Sequence, residues 1–344
     1  MRYVALLLML CSEAHAFNFK HDDFLFCATG FATYTKSTES LITPNDDINA
    51  VINTSVSNNY GYISTQLSTN TGNPLRRFMV VAPIITNNRY HVEVAGGRLT
   101  NTIGFIDTNS MNPLINGHII LPLSTYDHRR YRNMPDITDG GQINFTTHFD
   151  EYTVKLKTYA GKQVFDDPQI HVYGSNFSLT GDSDLMVGAN AKLIHDNTTI
   201  QYTFTYNQGT ITGTTPQVIL SQINTSVIQK IHFLGFQHFF QRFKFQGEAT
   251  YRDLNLTTDE TGVYFTSSYN FMEKWNVYVG NSYGTRIGEK STIVDLYTGV
   301  SNTYKDVTVA IEYHNTKLTN WYYDYNSPGN GRSSLALFSV TYSF

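Results

Sequence analysis

Between Val307 and His314 the side chains alternate: Val307, Val309, Ile311 and Tyr313 are apolar, while Thr308, Ala310, Glu312 and His314 fall between them. A period of two places these sets on opposite faces of a β-strand and cannot serve as one stripe of a helix. The same pattern returns in Phe243, Phe245, Gly247, Ala249 and Tyr251 against Lys244, Gln246, Glu248, Thr250 and Arg252. It returns again in Ile143, Phe145, Thr147 and Phe149 against Gln142, Asn144, Thr146 and His148, and in Tyr152, Val154 and Leu156 against Thr153, Lys155 and Lys157. No helical pattern of comparable length competes, so the chain is all-β.

A soluble sandwich also alternates, and three further features separate it from a membrane barrel. The alternating runs are about ten residues long, the length that crosses a bilayer at a tilt, whereas soluble strands average roughly 5 to 6. Aromatic residues (Tyr152, Tyr251, Tyr269, Phe271, Trp275, Tyr283) sit near the ends of the apolar faces, as belts at two membrane interfaces do. Short connections also alternate with long ones. The chain holds 24 Tyr and 22 Phe with only 15% charged residues, below the roughly 25% usual in soluble domains. Requiring short and long connections to alternate predicts strands near 24–35, 48–57, 60–68, 75–85, 89–98, 140–149, 151–160, 184–195, 198–206, 225–236, 241–252, 261–271, 275–284, 291–301, 306–316 and 334–344. The expectation is a transmembrane antiparallel β-barrel of about 16 strands, with short periplasmic turns and long extracellular loops at 36–46, 99–139, 161–183, 207–224 and 317–333. Segment 168–177 is assigned to a loop, because counting it as a strand would put the two largest loops on opposite sides. A closed barrel satisfies every backbone N–H and C=O in hydrocarbon without leaving an edge.

The first sixteen residues, with Arg2, the apolar run Val4–Leu10 and the small-residue site Ala14-His15-Ala16, read as a signal peptide (1–16), leaving one barrel domain over 17–344. A lipid-modified Cys11 is disfavoured because Leu10 stands where a small residue is needed. Beyond the signal only Cys27 remains, so the expected domain has no internal disulfide. The formal net charge of -4 gives no general field for a polyanion, and nucleic acid is not expected as a partner.

An expected signal peptide, a barrel without disulfides and a last strand with Phe338, Val340, Tyr342 and Phe344 at alternate positions resemble the sixteen-stranded porins of the Gram-negative outer membrane. In that family the terminal pattern is the insertion signal read by the barrel-insertion machinery. The resemblance further implies an environment of outer-membrane lipid and lipopolysaccharide, a homotrimer, passive diffusion of small hydrophilic solutes, and no cofactor. Gly97-Arg98, Gly104-Phe105, Pro113, Pro122, Arg132-Asn133 and Asp139-Gly140-Gly141 are similar to a pattern in poorly characterised gammaproteobacterial porin-like proteins.

The resemblance to porins implies that the loop after the fifth strand, 99–139, folds into the lumen and narrows it. The densest basic cluster of the chain, Tyr126–Asn133 (YDHRRYRN), falls in that loop. Arg129, Arg130 and Arg132 would then give the constriction a positive field, with Asp107, Asp127, Asp136 and Asp139 opposing it. Fixed charge in a water-filled lumen selects by charge and size. The alternative that these arginines only pin the loop to carboxylates stays open. From the wall, Lys155, Lys157, Lys244 and Arg252 add positive groups, and Glu93, Glu248 and Glu312 negative ones. A weak anion preference is the expectation.

Competing chemistry fares worse. Gly280–Gly284 (GNSYG) matches the G-x-S-x-G of a hydrolase, yet that elbow needs a strand turning into a helix and Ser282 lies inside an alternating strand, so no catalytic residue is assigned. Eleven histidines show no metal-binding spacing, and His91, His148 and His314 read as lumen polar residues, so no metal is expected. Asp182 and Asp184 read as solvated loop carboxylates. Six Asn-x-Ser/Thr sequences, at Asn53, Asn144, Asn176, Asn197, Asn224 and Asn255, read as chance in an Asn- and Thr-rich chain. A phosphate-specific channel would need a ladder of basic residues, and a sugar channel more aromatics than Tyr159, Tyr264 and Tyr278. A plugged barrel acting as hydrolase, adhesin or receptor is the remaining alternative.

Overall fold

The computed structural model describes residues 17–37, 46–69, 74–107, 137–164, 169–172, 177–215, 218–255, 259–272, 274–288, 290–324 and 327–343. Eighteen strands form one antiparallel sheet, and sixteen of them close it into a barrel. They are β1 (Phe24–Ser37), β2 (Asp46–Asn58), β3 (Gly61–Ser68), β4 (Leu75–Thr86), β5 (Tyr90–Thr100), β6 (Ile137–Phe149), β7 (Tyr152–Gln163) and β8 (Phe177–His195), followed by β9 (Thr198–Thr215), β10 (Val218–Phe240), β11 (Phe243–Leu254), β12 (Glu260–Met272), β13 (Trp275–Arg286), β14 (Thr292–Tyr304), β15 (Val307–Asp324) and β16 (Ser327–Ser343). Each neighbours the next in sequence, and β16 closes the ring by pairing with β1 from Phe31↔Ser343 to Ser37↔Leu337. The remainder of β1 is covered by a stub, Phe17–His21, paired with Phe24–Ala28. The stub and β16 therefore share one strand position beside β1.

All sixteen predicted strands are present. The tight turns 22–23, 196–197, 241–242 and 305–306 each hold their first residue at positive φ: Asp22 52°, Asp196 46°, Gln241 53° and Lys305 52°. Such backbone matches the twist of paired strands across a two-residue turn. Pro83 lies inside β4, where the register slips between Pro83 and Ile85, because proline cannot donate to the ladder.

Three predicted long loops are corrected. Segments 161–183, 207–224 and 317–333 lie largely within strands: β8, β9 and β10 are 19, 18 and 23 residues long, and β15 and β16 are 18 and 17. Segment 168–177 contains Gln169–Val172, paired locally with Phe177–Thr180, and adds no seventeenth crossing. Leu99 and Thr100 end β5, and residues 137–139 begin β6, so the predicted 99–139 loop is shorter at both ends.

Exposure alternates with the sequence period. On β11 to β15 the side chains Ala249, Phe265 (45%), Val279 (53%), Leu296 (57%) and Ile311 (54%) face outward, whereas Glu248, Tyr264, Tyr278, Tyr297 and Glu312 are each at most 4% exposed. The hydrocarbon-like surface is thus on the outside and the polar set lines the interior. Aromatic side chains ring the short-turn end of the outer face: Tyr152 stacks on His195 at 4.5 Å, Phe243 meets Tyr269 at 4.6 Å and Phe271 meets Trp275 at 5.9 Å. A second row, Tyr202, Tyr251, Tyr283 and Tyr313, lies toward the other rim. Phe243 and Tyr251 are eight residues apart on β11, roughly 26 Å along the strand, which tilt reduces to about the height of a hydrocarbon band.

Candidate functional site

The interior wall is set by register. Directly opposed residues share a face, so Gln201, Gly235, Glu248, Tyr264, Ser282, Asp295 and Thr316 form one row across β9 to β15. A further segment of chain packs on the β7–β11 part of this wall. Past Thr100 the backbone turns inward, and Thr102–Ile103 pairs with Ile106–Asp107 around Gly104 (φ 63°) and Phe105.

Each turn of this segment finds a partner on the wall. Lys157 Nζ donates to the Thr100 carbonyl (2.9 Å), and the Asn101 amide donates to Thr138 Oγ1 (2.7 Å). The Gln201 amide donates to the Gly104 carbonyl. The Phe105 N–H donates to Glu248 Oε1 (2.5 Å), while Glu248 Oε2 accepts from the Tyr264 hydroxyl (2.7 Å) and that hydroxyl accepts from Gln246 (2.6 Å). Ile103 is buried with Ile231, Phe233 and Tyr264, and the Phe105 ring occupies the space over Gly235 that a Cβ would fill. Glu248 is the centre of this seat: its two oxygens accept the Phe105 N–H and the Tyr264 O–H, two donors that the wall would otherwise leave without these partners.

Lysine gathers beside the seat. Lys155 stands directly opposite Lys192 across β7 and β8, with Lys157 two residues along on the same face. Like charges directly opposite repel, and Lys155 is exposed on this inward face. Toward β5, His91 Nε2 lies 3.0 Å from Glu93 Oε1, and Asn144 donates to Glu93 Oε2 at 3.4 Å.

The wall of β12 to β16 closes differently. Both ring nitrogens of His314 face carboxylates, Nδ1 at 2.8 Å from Asp295 and Nε2 at 2.6 Å from Glu312. Thr316 donates to Asp295 Oδ1 (2.8 Å), the Tyr278 hydroxyl donates to Glu312, and Tyr297 meets Thr266 at 2.6 Å. Tyr278 lies over the directly opposed Gly299, and Tyr297 over Gly280; Tyr159 repeats the arrangement on Gly188 across β7 and β8. Toward the loop rim Glu260 bridges Arg286 (3.0 Å) and Arg252 (3.5 Å).

The predicted site residues are distributed as follows. Lys155, Lys157, Lys244, Glu248, Arg252, Glu93 and Glu312 all lie on the inward face; Lys157 and Glu248 hold the inserted segment, Arg252 and Glu312 sit in wall networks, and Lys244 lies 6.0 Å from the Phe239 ring centroid. Asp107 ends the small hairpin. Arg129, Arg130, Arg132, Asp127 and Asp136 lie outside the described residues, as does Phe344. Phe338, Val340 and Tyr342 occupy alternate positions on β16, on the face opposite buried Leu337, Ser339 and Thr341. Asp139 is corrected: it belongs to β6, on the face opposite Gln142, and Arg98 clasps it with Nε to Oδ1 and Nη2 to Oδ2, both at 2.8 Å. It therefore points away from the interior. Ser282 is followed by continuing strand to Arg286, so the strand-to-helix elbow is absent there. His148 meets Thr153 at 3.0 Å. Among the described residues no three His, Cys, Asp or Glu side chains are grouped to hold a metal ion.

Gln201, Gly235, Lys192, Asp295 and Tyr297 were not singled out from sequence. Parity alone puts them inside, and only register shows which of them meet.

No family model matches the sequence, and no curated protein matches it either. Solved structures do share the fold. OmpT of Vibrio cholerae superimposes with a TM-score of 0.60 at 12% identity, covering 95% of this chain and 100% of its own. An anion-selective porin from Comamonas acidovorans gives 0.62 at 9%, covering 93% and 100%. OmpF of Salmonella typhi, in complex with daunomycin, gives 0.59 at 11%, covering 95% and 100%. The chain therefore has the architecture of sixteen-stranded outer-membrane porins.

Proposed function

We propose that this protein is a porin-like channel of the outer membrane, through which small hydrophilic solutes and ions diffuse passively. The observation that carries this reading is the inserted segment: residues 101–107 enter a barrel with an apolar exterior and polar interior, and are held there by Lys157, Gln201 and Glu248. A loop seated on the inner wall narrows a passage without closing the ladder around it, and its continuation carries Arg129, Arg130 and Arg132. The pair Lys155 and Lys192 supports a weak preference for anions, in keeping with the anion-selective porin among the structural neighbours. In this reading residues 1–16 are removed on export, the short turns face the periplasm, the terminal pattern Phe338 to Phe344 is read on insertion, lipopolysaccharide surrounds the long-loop rim, and three copies associate.

One observation favours a second reading. The β12–β16 interior is shielded, with Asp295, Glu312, Thr316 and Thr341 at 0% exposure. A barrel filled in this way would serve as a receptor or adhesin rather than a conduit. Planar-bilayer recording of the purified barrel separates the two. Stepwise currents with a reversal potential on the anion side of zero are expected; folded, inserted protein that never conducts would support the plugged barrel instead.

A further inference from the structure

The short-turn rim of β12 to β15 carries an arrangement that the pore does not use. Lys274 ends the turn between β12 and β13, and Lys305 opens the turn between β14 and β15. Their Nζ atoms lie 4.6 Å and 5.8 Å from the centroid of one ring, that of Tyr304, which is 58% exposed. The backbone of both lysines is set by the turns: the Thr303 N–H and the Asn302 amide donate to the Lys274 carbonyl at 2.9 Å and 3.3 Å, and Lys305 sits at φ 52°. Arg242, on the neighbouring turn, donates to the Phe271 carbonyl at 3.3 Å. Asp306 is the described carboxylate in these turns, and Glu273 lies outside the described residues. Of the other turns on this rim, three are acidic, with Asp22 and Asp23, Asp150 and Glu151, and Asp196, whereas 58–60 is neutral and 87–89 carries the single cation Arg89. Behind the lysines the outer face is bare and apolar, with Trp275, Val277 and Val309 each 37–39% exposed.

We propose that this rim is a seat for one anionic phospholipid, with its phosphate between Lys274 and Lys305 over the edge of Tyr304 and its chains along Trp275, Val277 and Val309. Two ammonium groups held around one exposed ring repel each other, and a negative headgroup relieves that repulsion at the depth where an interfacial aromatic sits. A zwitterionic headgroup brings its own cation and gains less. The inference rests on the membrane-barrel reading above and concerns the lipid side of the wall, not the lumen.

Native mass spectrometry of the intact barrel, released from membranes in detergent, tests it with phosphatidylglycerol and phosphatidylcholine of identical chains. Wild type should retain one phosphatidylglycerol where phosphatidylcholine is lost. Lys274→Gln/Lys305→Gln should weaken that retention about thirtyfold, from roughly fivefold per membrane-facing lysine, and Lys162→Gln at the opposite rim should leave it unchanged. Equal retention of the two lipids, or a double variant indistinguishable from Lys162→Gln, overturns the seat. Insertion into vesicles, read from the heat-modifiable mobility of the folded barrel, is measured alongside. A protein that enters neither lipid overturns the membrane reading together with this inference; one that enters both but retains the two lipids equally overturns the inference alone.

Discussion

The two halves of the interior wall are built from strands of the same period and solve the same problem by different means. Strands β7 to β11 are completed by another part of the chain: Glu248, Gln201 and Lys157 spend their hydrogen bonds on backbone groups of residues 100–105. Strands β12 to β16 are completed by their own side chains, with His314 between Asp295 and Glu312 and two tyrosines lying flat on opposed glycines. The first half keeps an exposed lysine, Lys155, and holds the inserted segment; the second pairs its charged groups mainly with one another, His314 with Asp295 and Glu312, and Glu260 with Arg286. Selectivity should therefore reside in the first half and rigidity in the second.

Four variants probe this division, in decreasing order of effect. Glu312→Ala removes the carboxylate that faces His314 Nε2 and accepts from the Tyr278 hydroxyl, and breaking a buried ionic network costs about 3–5 kcal/mol. Urea unfolding of the barrel in vesicles should show this as a large drop in midpoint with ion selectivity unchanged in the surviving channels. Gly299→Val pushes a branched side chain into the Tyr278 ring and should destabilise by roughly 1–3 kcal/mol, the usual cost of overpacking; an unchanged midpoint would show that the ring moves freely and the clasp is not structural.

Glu248→Ala acts on the other half. Losing the acceptor of Phe105 and Tyr264 should cost about 1–3 kcal/mol, and single-channel recordings should show larger or noisier steps as the inserted segment loosens. Steps identical to wild type would mean that the seat does not set the passage. Lys155→Gln/Lys157→Gln is expected to change stability least, by about 0.5–1.5 kcal/mol, from an exposed charge plus the lost hydrogen bond to Thr100. Its reversal potential in a salt gradient should still move toward cations, and the same double change should leave the Glu312 network untouched.

How much of this is visible in the sequence follows the same division. Strands such as Val307–His314 and Phe243–Arg252 announce themselves because one face must be apolar where it meets lipid and the other polar where it meets the interior. The signal ends where the strands leave that environment. Thr210–Thr214 of β9 remains paired with Ser178–Asp182 of β8, yet one face carries only Thr, Ser and Asp and the other only Ile211 and Leu179 beside two glycines, so these residues read as loop. Asp139 misled for a related reason: a carboxylate beside two glycines reads as loop edge, while its bidentate clasp by Arg98 depends on a pairing across β5 and β6 that one strand alone cannot reveal. Lys157, Glu248 and Glu312 were assigned inward by parity. That Glu248 caps Phe105, and Glu312 holds His314, depends on register between strands and on the path of the chain after Thr100.

The most direct test of a loop-narrowed, lysine-lined passage is chemical modification during recording. With Cys27→Ser removing the one described thiol, Lys155→Cys is placed on the inner face of β7 and a bulky anionic methanethiosulfonate is added while single channels are open. A stepwise fall in conductance, with selectivity moving further toward cations, is the predicted result. Channels that stay unchanged after the thiol has reacted in full would contradict it and take Lys155 out of the conduction path.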